Sequence, residues 1–296
     1  MPAEKHAHTG CRRRSMHTPD ATAEPCTHRL RQQRRTTMKE SKMDIELTRT
    51  HDVLTIAFAR PEKKNAITAA MYQTMADALV EAQQDPTTRA VLIRGSAGIF
   101  SAGNDLEDFM KQPPVSDDAP VFQFLRAISS MEKPLVASVA GAAVGIGTTL
   151  LLHCDLVYAA DTATFSLPFA QLGLCPEAAS SLLLQRVAGY QGAAEKLMLG
   201  EAFDAKEAQR MGFVNRLLPA AEVDAFALQQ AQKLAALPAS SLRVTKQLMK
   251  RAALHEIQTQ MTDEAVHFAK MLLAPEAKEA FKAFFEKRKP DFRQFS

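Results

Sequence analysis

Four short runs of β-branched and aliphatic residues, separated by stretches of helical periodicity, set the architecture open to this chain. They are residues 53–59 (VLTIAFA), 90–94 (AVLIR), 134–139 (PLVASV) and 155–159 (DLVYA). The first ends before Arg60-Pro61, as a strand entering a loop does. Thr68 opens an amphipathic helix with Met71, Met75, Leu79 and Ala82 at helical spacing, closing at Asp85-Pro86. Alternation of this kind predicts α/β layers around a largely parallel or mixed sheet. From about Ala220 the pattern turns helical, over 223–237, 241–253, 257–273 and 276–287, punctuated by Leu237-Pro238 and Ala274-Pro275. With 296 residues, 46% of them hydrophobic, the chain can bury one large core.

Charge is unevenly spread. Residues 1–42 hold ten Lys/Arg against four acids, a net +6, which leaves −3 for the other 254 of a chain whose total is +3. This segment has almost no large apolar residues and is expected to stay disordered, because burial cannot offset its ordering entropy. Three readings fit it: a start-site extension ahead of Met38 or Met43, a basic arm touching nucleic acid or anionic surfaces, or an Arg-rich transit-type peptide. It lacks the apolar run of a secretory signal. Cys11, Cys26, Cys154 and Cys175 form no C-x-x-C pair, so neither a disulfide framework nor a zinc site is expected, which suits a reducing compartment. The ending Arg293-Gln294-Phe295-Ser296 is not an S-K-L signal. Residues 134–152 carry no charge, but Pro134, Gly141, Gly145 and Gly147 make a buried strand, turn and helix a better reading than a membrane span.

Two turns and one acid stand out chemically. In Ser101-Ala102-Gly103-Asn104-Asp105 small residues lead into a helix starting near Asp105. Its first N–H groups lack internal partners and can face an anion; a plain turn capped by Asp105 fits equally. Gly141-x-x-x-Gly145-Ile146-Gly147 follows a strand and precedes an apolar helix over 148–152, again offering N–H groups. Leu150 occupies the place of a third glycine, so dinucleotide binding is discounted. Glu177 lies among Leu174, Cys175, Pro176 and Ala178. It is either a desolvated carboxyl with raised proton affinity, or an exposed acid in the first turn of a helix over 178–187. His51, His153, His255 and His267 show no ligand spacing and read as surface or core.

Taken in order, ARPEKKNAIT (59–68), FSAGNDL (100–106), GAAVGIG (141–147), HCDLVYA (153–159), TFSLPFAQLGL (164–174), LMLGEAFDAKEAQRMGFVNRLLP (197–219) and AFFEKRKPDF (283–292) resemble the enoyl-CoA hydratase/isomerase (crotonase) superfamily. The likeness runs from about Asp44 to Phe292 and is nearest to its Δ3,Δ2-enoyl-CoA isomerase branch. It implies a crotonase-like spiral of ββα units, with a core over 43–220 and a helical trimerisation region over 221–296.

The resemblance also implies roles. The two glutamates of the hydratases fall on Thr149 and Phe169, which cannot move protons as carboxylates do. Glu177 matches the single glutamate of the isomerases. The backbone N–H groups of Asn104 and Ile146 match the family's oxyanion donors. Asn65, Ala66, Ala102, Asp105 and Leu106 would line the substrate path. Lys63 and Lys64, with Lys287 from a neighbouring subunit, would meet CoA phosphates. The implied reaction moves the double bond of a 3-enoyl-CoA to the 2-position in fatty-acid β-oxidation. No cofactor or metal is implied, coenzyme A being part of the substrate. A homotrimer or hexamer in the cytoplasm is expected, with no nucleic acid on the core. Alternatives are hydration or thioester hydrolysis of an acyl-CoA, or a non-catalytic acyl-CoA-binding protein.

Overall fold

A two-residue hairpin starts the fold. Strand β1 (Ile45–Thr50) runs antiparallel to β2 (Val53–Phe58) with Thr50 opposite Val53. His51 and Asp52 between them have φ of 48° and 61°, the left-handed pair that lets a tight turn match strand twist. The computed structural model describes residues 44–114 and 116–295. The basic segment 1–42, with Cys11 and Cys26, lies outside the described residues.

The next elements alternate as expected: α1 (Ala69–Gln84), β3 (Ala90–Arg94), α2 (Leu106–Lys111), α3 (Pro120–Ser130), β4 (Leu135–Val139), β5 (Ala142–Val144), α4 (Ile146–Thr149), β6 (Leu156–Ala160) and β7 (Thr164–Ser166). Then follow α5 (Ser180–Ala194), β8 (Phe203–Asp204), α6 (Ala205–Met211), β9 (Arg216–Leu218), α7 (Val223–Ala236), α8 (Ala239–Leu272) and α9 (Pro275–Phe285). Six strands form one sheet in the order β1-β2-β3-β4-β6-β9, parallel from β2 onward; β5, β7 and β8 form a second, small sheet. Every residue of β2 and β4 is buried, because both faces of the sheet are covered. Burying each such Leu, Ile or Phe contributes about 1.5–3 kcal/mol. Thr68 caps α1 by accepting the Met71 N–H at 3.3 Å, and α1 buries Met71, Met75, Leu79 and Ala82 as its spacing predicts. Helix α7 packs on β3, β4 and β6.

Three expectations need correction. The helices expected over 241–253 and 257–273 are one helix, α8, 34 residues long. His255-Glu256 interrupts the apolar pattern but offers neither Gly nor Pro, so nothing ends the helix there. The helix expected over 148–152 starts two residues earlier as α4 and finishes as a 3-10 turn over Leu150–His153. Helix α5 starts at Ser180 instead of 178, because Ala178 and Ala179 are left-handed, with φ of 59° and 54°. Among the described residues no helix is long and apolar enough to cross a membrane.

Candidate active site

The two glycine turns lie side by side. The N–H groups of Phe100 and Ser101 donate to the Ala142 carbonyl at 3.1 and 3.0 Å, and the Val144 N–H returns a bond to the Ser101 carbonyl at 2.9 Å. On the other flank Ile67 N–H donates to Gly103 O at 2.8 Å and Asp105 N–H to Ile67 O at 2.9 Å. This leaves the Asn104 and Ile146 N–H groups without an acceptor among the described residues. Each follows a glycine with positive φ, Gly103 at 88° and Gly145 at 54°. A Cβ on Gly103 would stand 2.8 Å from the Val144 carbonyl oxygen. Glycine is needed here both for the dihedral and for the close approach.

Both free donors line a cavity of about 620 Å³, within the usual range for a small-molecule site. Ala66, Ala102, Asp105, Leu106, Lys63 and Lys64 line it too. Its exposed charges are Glu62, Lys63, Lys64 and Glu107, and its buried wall includes Phe169, Phe268 and Phe281. Asp105 is already engaged: it accepts the Glu107 and Asp108 N–H groups at 3.1 Å each and the Arg60 guanidinium at 2.6 Å. Burial pushes its carboxyl up, but Arg60 and these N–H groups outweigh that and hold it low.

Two expected substrate residues are not brought to this cavity. Asn65 is fully buried and directed into the fold: its Nδ2 donates to the Ile99 carbonyl at 2.8 Å and the Ser96 carbonyl at 3.3 Å, while Oδ1 accepts the Arg60 N–H at 3.0 Å. It fixes the 60–66 loop, whose Lys64 and Asn65 are left-handed. Lys287 is exposed and stands outside the lining.

Glu177 is 7% exposed, so the exposed-acid reading fails. Burial, then the charge of Glu264, pushes its carboxyl up to about 8, against a lowering bond from Thr149. The Thr149 hydroxyl donates to Glu177 Oε1 at 3.5 Å. One residue on, the Ala178 carbonyl is 2.8 Å from His153 Nε2; burial keeps that imidazole neutral, with its pKa lowered to about 4. The left-handed turn at Ala178-Ala179 costs about 1–2 kcal/mol per residue, and the surrounding bonds must hold it. Glu177 lines a separate small cavity of about 20 Å³ with Val121, Leu125, Met261 and Glu264. Phe109 and Phe268 line both cavities, their rings edge to face with centroids 6.0 Å apart. That ring pair is common to the walls of the two cavities.

Sequence reasoning missed Tyr72, Phe109, Phe268 and Glu264. Tyr72, buried on α1, donates its hydroxyl to Asn104 Oδ1. Burial, then the charge of Glu177, pushes its phenol up. In the sequence it is only a neighbour of Met71 on an apolar face. Phe268 and Glu264 lie in the helical region, far along the chain from the turns.

The model of the family described as enoyl-CoA hydratase/isomerase matches residues 48–295. The chain belongs to the enoyl-CoA hydratase/isomerase family. Its chemistry is thereby an acyl-CoA reaction of the crotonase kind, hydration or isomerisation. It is 35% identical over 258 residues to the enoyl-CoA delta isomerase 2 of Rattus norvegicus, covering 85% of this chain and 65% of that protein's length. It is 30% identical over 253 residues to the 2,3-dehydroadipyl-CoA hydratase of Escherichia coli K12, covering 84% of this chain and 98% of the relative. A crystal structure of an enoyl-CoA hydratase/isomerase from Pseudoalteromonas atlantica T6c superposes with a TM-score of 0.81 at 41% identity, over 84% of this chain and 100% of that one. The fold is the crotonase-like α/β fold with its C-terminal helices. An isomerase and a hydratase both stand among these relatives, so the family member's own reaction rests on its site.

Proposed function

We propose that this family member is a Δ3,Δ2-enoyl-CoA isomerase of fatty-acid β-oxidation. The observation that carries the reading is Glu177, a buried carboxyl pushed up to about 8, bonded by Thr149 where a hydratase would carry a glutamate. Phe169 occupies the second such place and lines the large cavity. The thioester oxygen sits between the Asn104 and Ile146 N–H groups, which bind the developing enolate more strongly than the neutral carbonyl. One such donor contributes about 3 kcal/mol to the barrier difference. Ionised Glu177 takes a proton from C2 as the C–H pair moves into a dienolate; the same proton returns at C4 as the double bond shifts to 2,3. Nothing is oxidised and no proton is consumed, so one acid titrating near neutrality serves both steps. Opening of the Phe109–Phe268 pair admits the acyl chain to Glu177. Lys63 and Lys64 are assigned to CoA phosphates, with Lys287 acting from a neighbouring copy in a trimer or trimer pair.

Hydration is the second reading, because Glu264 puts another acid beside Glu177. Both Glu264 oxygens are already bonded, which disfavours it. The deciding assay supplies a 3-enoyl-CoA and follows conjugated 2-enoyl-CoA in the ultraviolet. Conversion abolished by Glu177→Gln establishes the isomerase. No conversion, with 2-enoyl-CoA hydrated instead, replaces it with a hydratase; neither reaction, with CoA esters still bound, leaves a binding protein.

A further inference from the structure

Three donors at the start of α5 converge on a carboxylate that the reaction above does not use. Glu264 lies near the end of α8 and is 5% exposed. Its Oε2 accepts the Ala179 N–H at 2.6 Å. Its Oε1 accepts the Ser181 N–H at 3.0 Å and also the Ser181 hydroxyl. The Ser181 oxygen is held in turn by Gln260 Nε2 at 3.0 Å, from the preceding turn of α8. The Glu264 backbone carbonyl accepts the Cys175 thiol at 3.6 Å. One residue of α8 therefore grips the loop on both sides of Glu177.

Local sequence gives α5 no cap. Its N-cap position is Ala179, left-handed and without a side-chain acceptor. A carboxylate from another helix takes that place, at the end of the helix dipole that favours negative charge. Burial pushes the Glu264 carboxyl up, while the Ser181 and Ala179 donors pull it down; three donors on its oxygen pair favour the acceptor-only, ionised form.

We propose that Glu264 is a positioning residue for Glu177: it holds the Ala178-Ala179 turn that presents the base, and makes the base depend on the seating of α8. The consequence for turnover rests on the isomerase reading; the consequence for the protonation of Glu177 does not. Burial first, then the Glu264 charge, raises the proton affinity of Glu177. The other groups that meet it are Tyr72 from α1, Thr149 from α4 and Cys175 from its own loop. His153 reaches the loop at the Ala178 carbonyl and is neutral, with Lys246 and Lys250 bearing on it from beyond. Glu264 is thus the one group in this set whose charge opposes ionisation of Glu177, so removing that charge has a defined sign.

The test uses the full chain. Glu264→Gln keeps the size of the side chain and removes its charge. Carboxyl infrared difference spectra, assigned by subtraction of the Glu177→Gln protein, read the titration of Glu177 directly. The midpoint is expected to fall by about one unit, a tenfold change in proton affinity. With a 3-enoyl-CoA, kcat is expected to fall about tenfold while KM stays within about twofold. An unmoved Glu177 midpoint in folded Glu264→Gln overturns the inference. Should that variant not fold, Ser181→Ala decides, since it removes one donor and leaves the carboxylate. Faster amide exchange at Ala179 and a kcat lowered about threefold are expected; unchanged exchange at Ala179 overturns it. If the unaltered protein turns over no 3-enoyl-CoA, the isomerase reading falls, and the infrared and exchange results still decide the role of Glu264.

Discussion

In the turns that carry Asn104 and Ile146, main-chain bonds do much of the holding, joined by Ser101 Oγ, which accepts the Gly103 N–H at 3.1 Å, and by the Tyr72 hydroxyl on Asn104 Oδ1. Ser101, Gly103 and Val144 exchange main-chain bonds with neighbouring strands and loops, and glycines supply the dihedrals that turn two N–H groups outward. Around Glu177 the holding is done by side chains from distant parts of the chain: Thr149 on α4, His153 after it, and Glu264 on α8. The bonds just named in the first arrangement involve no ionised group. The second is strained, charged and adjustable. On the proposed isomerase reading, an anion-binding half must not move as charge develops, whereas a proton-carrying half must be set to a particular affinity; the two constructions would suit those different demands.

The largest expected effect falls on the adjustable half. Glu177→Gln should lower kcat by about 10²–10⁴-fold, the usual worth of acid–base catalysis, while calorimetric binding of a CoA ester is retained. Gly103→Ala attacks the anion-binding half. Its Cβ meets the Val144 carbonyl at 2.8 Å and its φ of 88° resists a side chain. Loss of the Asn104 donor should lower kcat about 10²–10³-fold, and here the melting temperature falls as well. If Gly103→Ala left the melting temperature unchanged, the claim that this half is also scaffold would be wrong.

A pH scan separates the halves at lower cost to activity. His153 titrates at about 4 when folded against 6.5 when exposed, because burial disfavours its charged form. The unfolded chain therefore binds the extra proton first. The His153 contribution to stability is full above pH 6.5 and is lost as pH falls toward about 4, by about 3 kcal/mol. Denaturant melts of His153→Asn should show that slope flattened; an unchanged slope would remove His153 from the set holding the Glu177 loop. The smallest effect is at the cavity's exposed edge. Lys64→Ala should raise KM a few-fold at low salt, less at 0.5 M, with kcat unaltered, as expected for a screened surface charge.

The sheet was legible where burial on both faces writes an unbroken apolar run. β2, β3, β4 and β6 fall within one residue of their expected limits. β1 escaped because five of its six residues are exposed, and β5, β7, β8 and β9 because two or three residues make no pattern. The donor turns were legible for the same local reason: glycine, small residues and a strand before them. The surroundings of Glu177 were not. Its neighbour Glu264 lies 85 residues from the Ala179 N–H it accepts, on a helix where an acid is unremarkable in sequence. Asn65 looked like a substrate contact because it stands in a motif; only the structure shows its amide turned inward onto Ile99.

The unbroken course of α8 has a consequence for how such a chain can diverge. Lys246, buried near one end, bonds the Lys133 carbonyl at 2.7 Å and Asp155 at 2.6 Å. Glu264, buried near the other, bonds the start of α5. Their spacing amounts to about five helical turns, roughly 27 Å, which puts both on one face. Insertion of a single residue between them would swing one anchor about 100° away from its partner. The segment can therefore accept many exchanges of one exposed residue for another, as at Leu248 or Met249, yet hardly any change in its length.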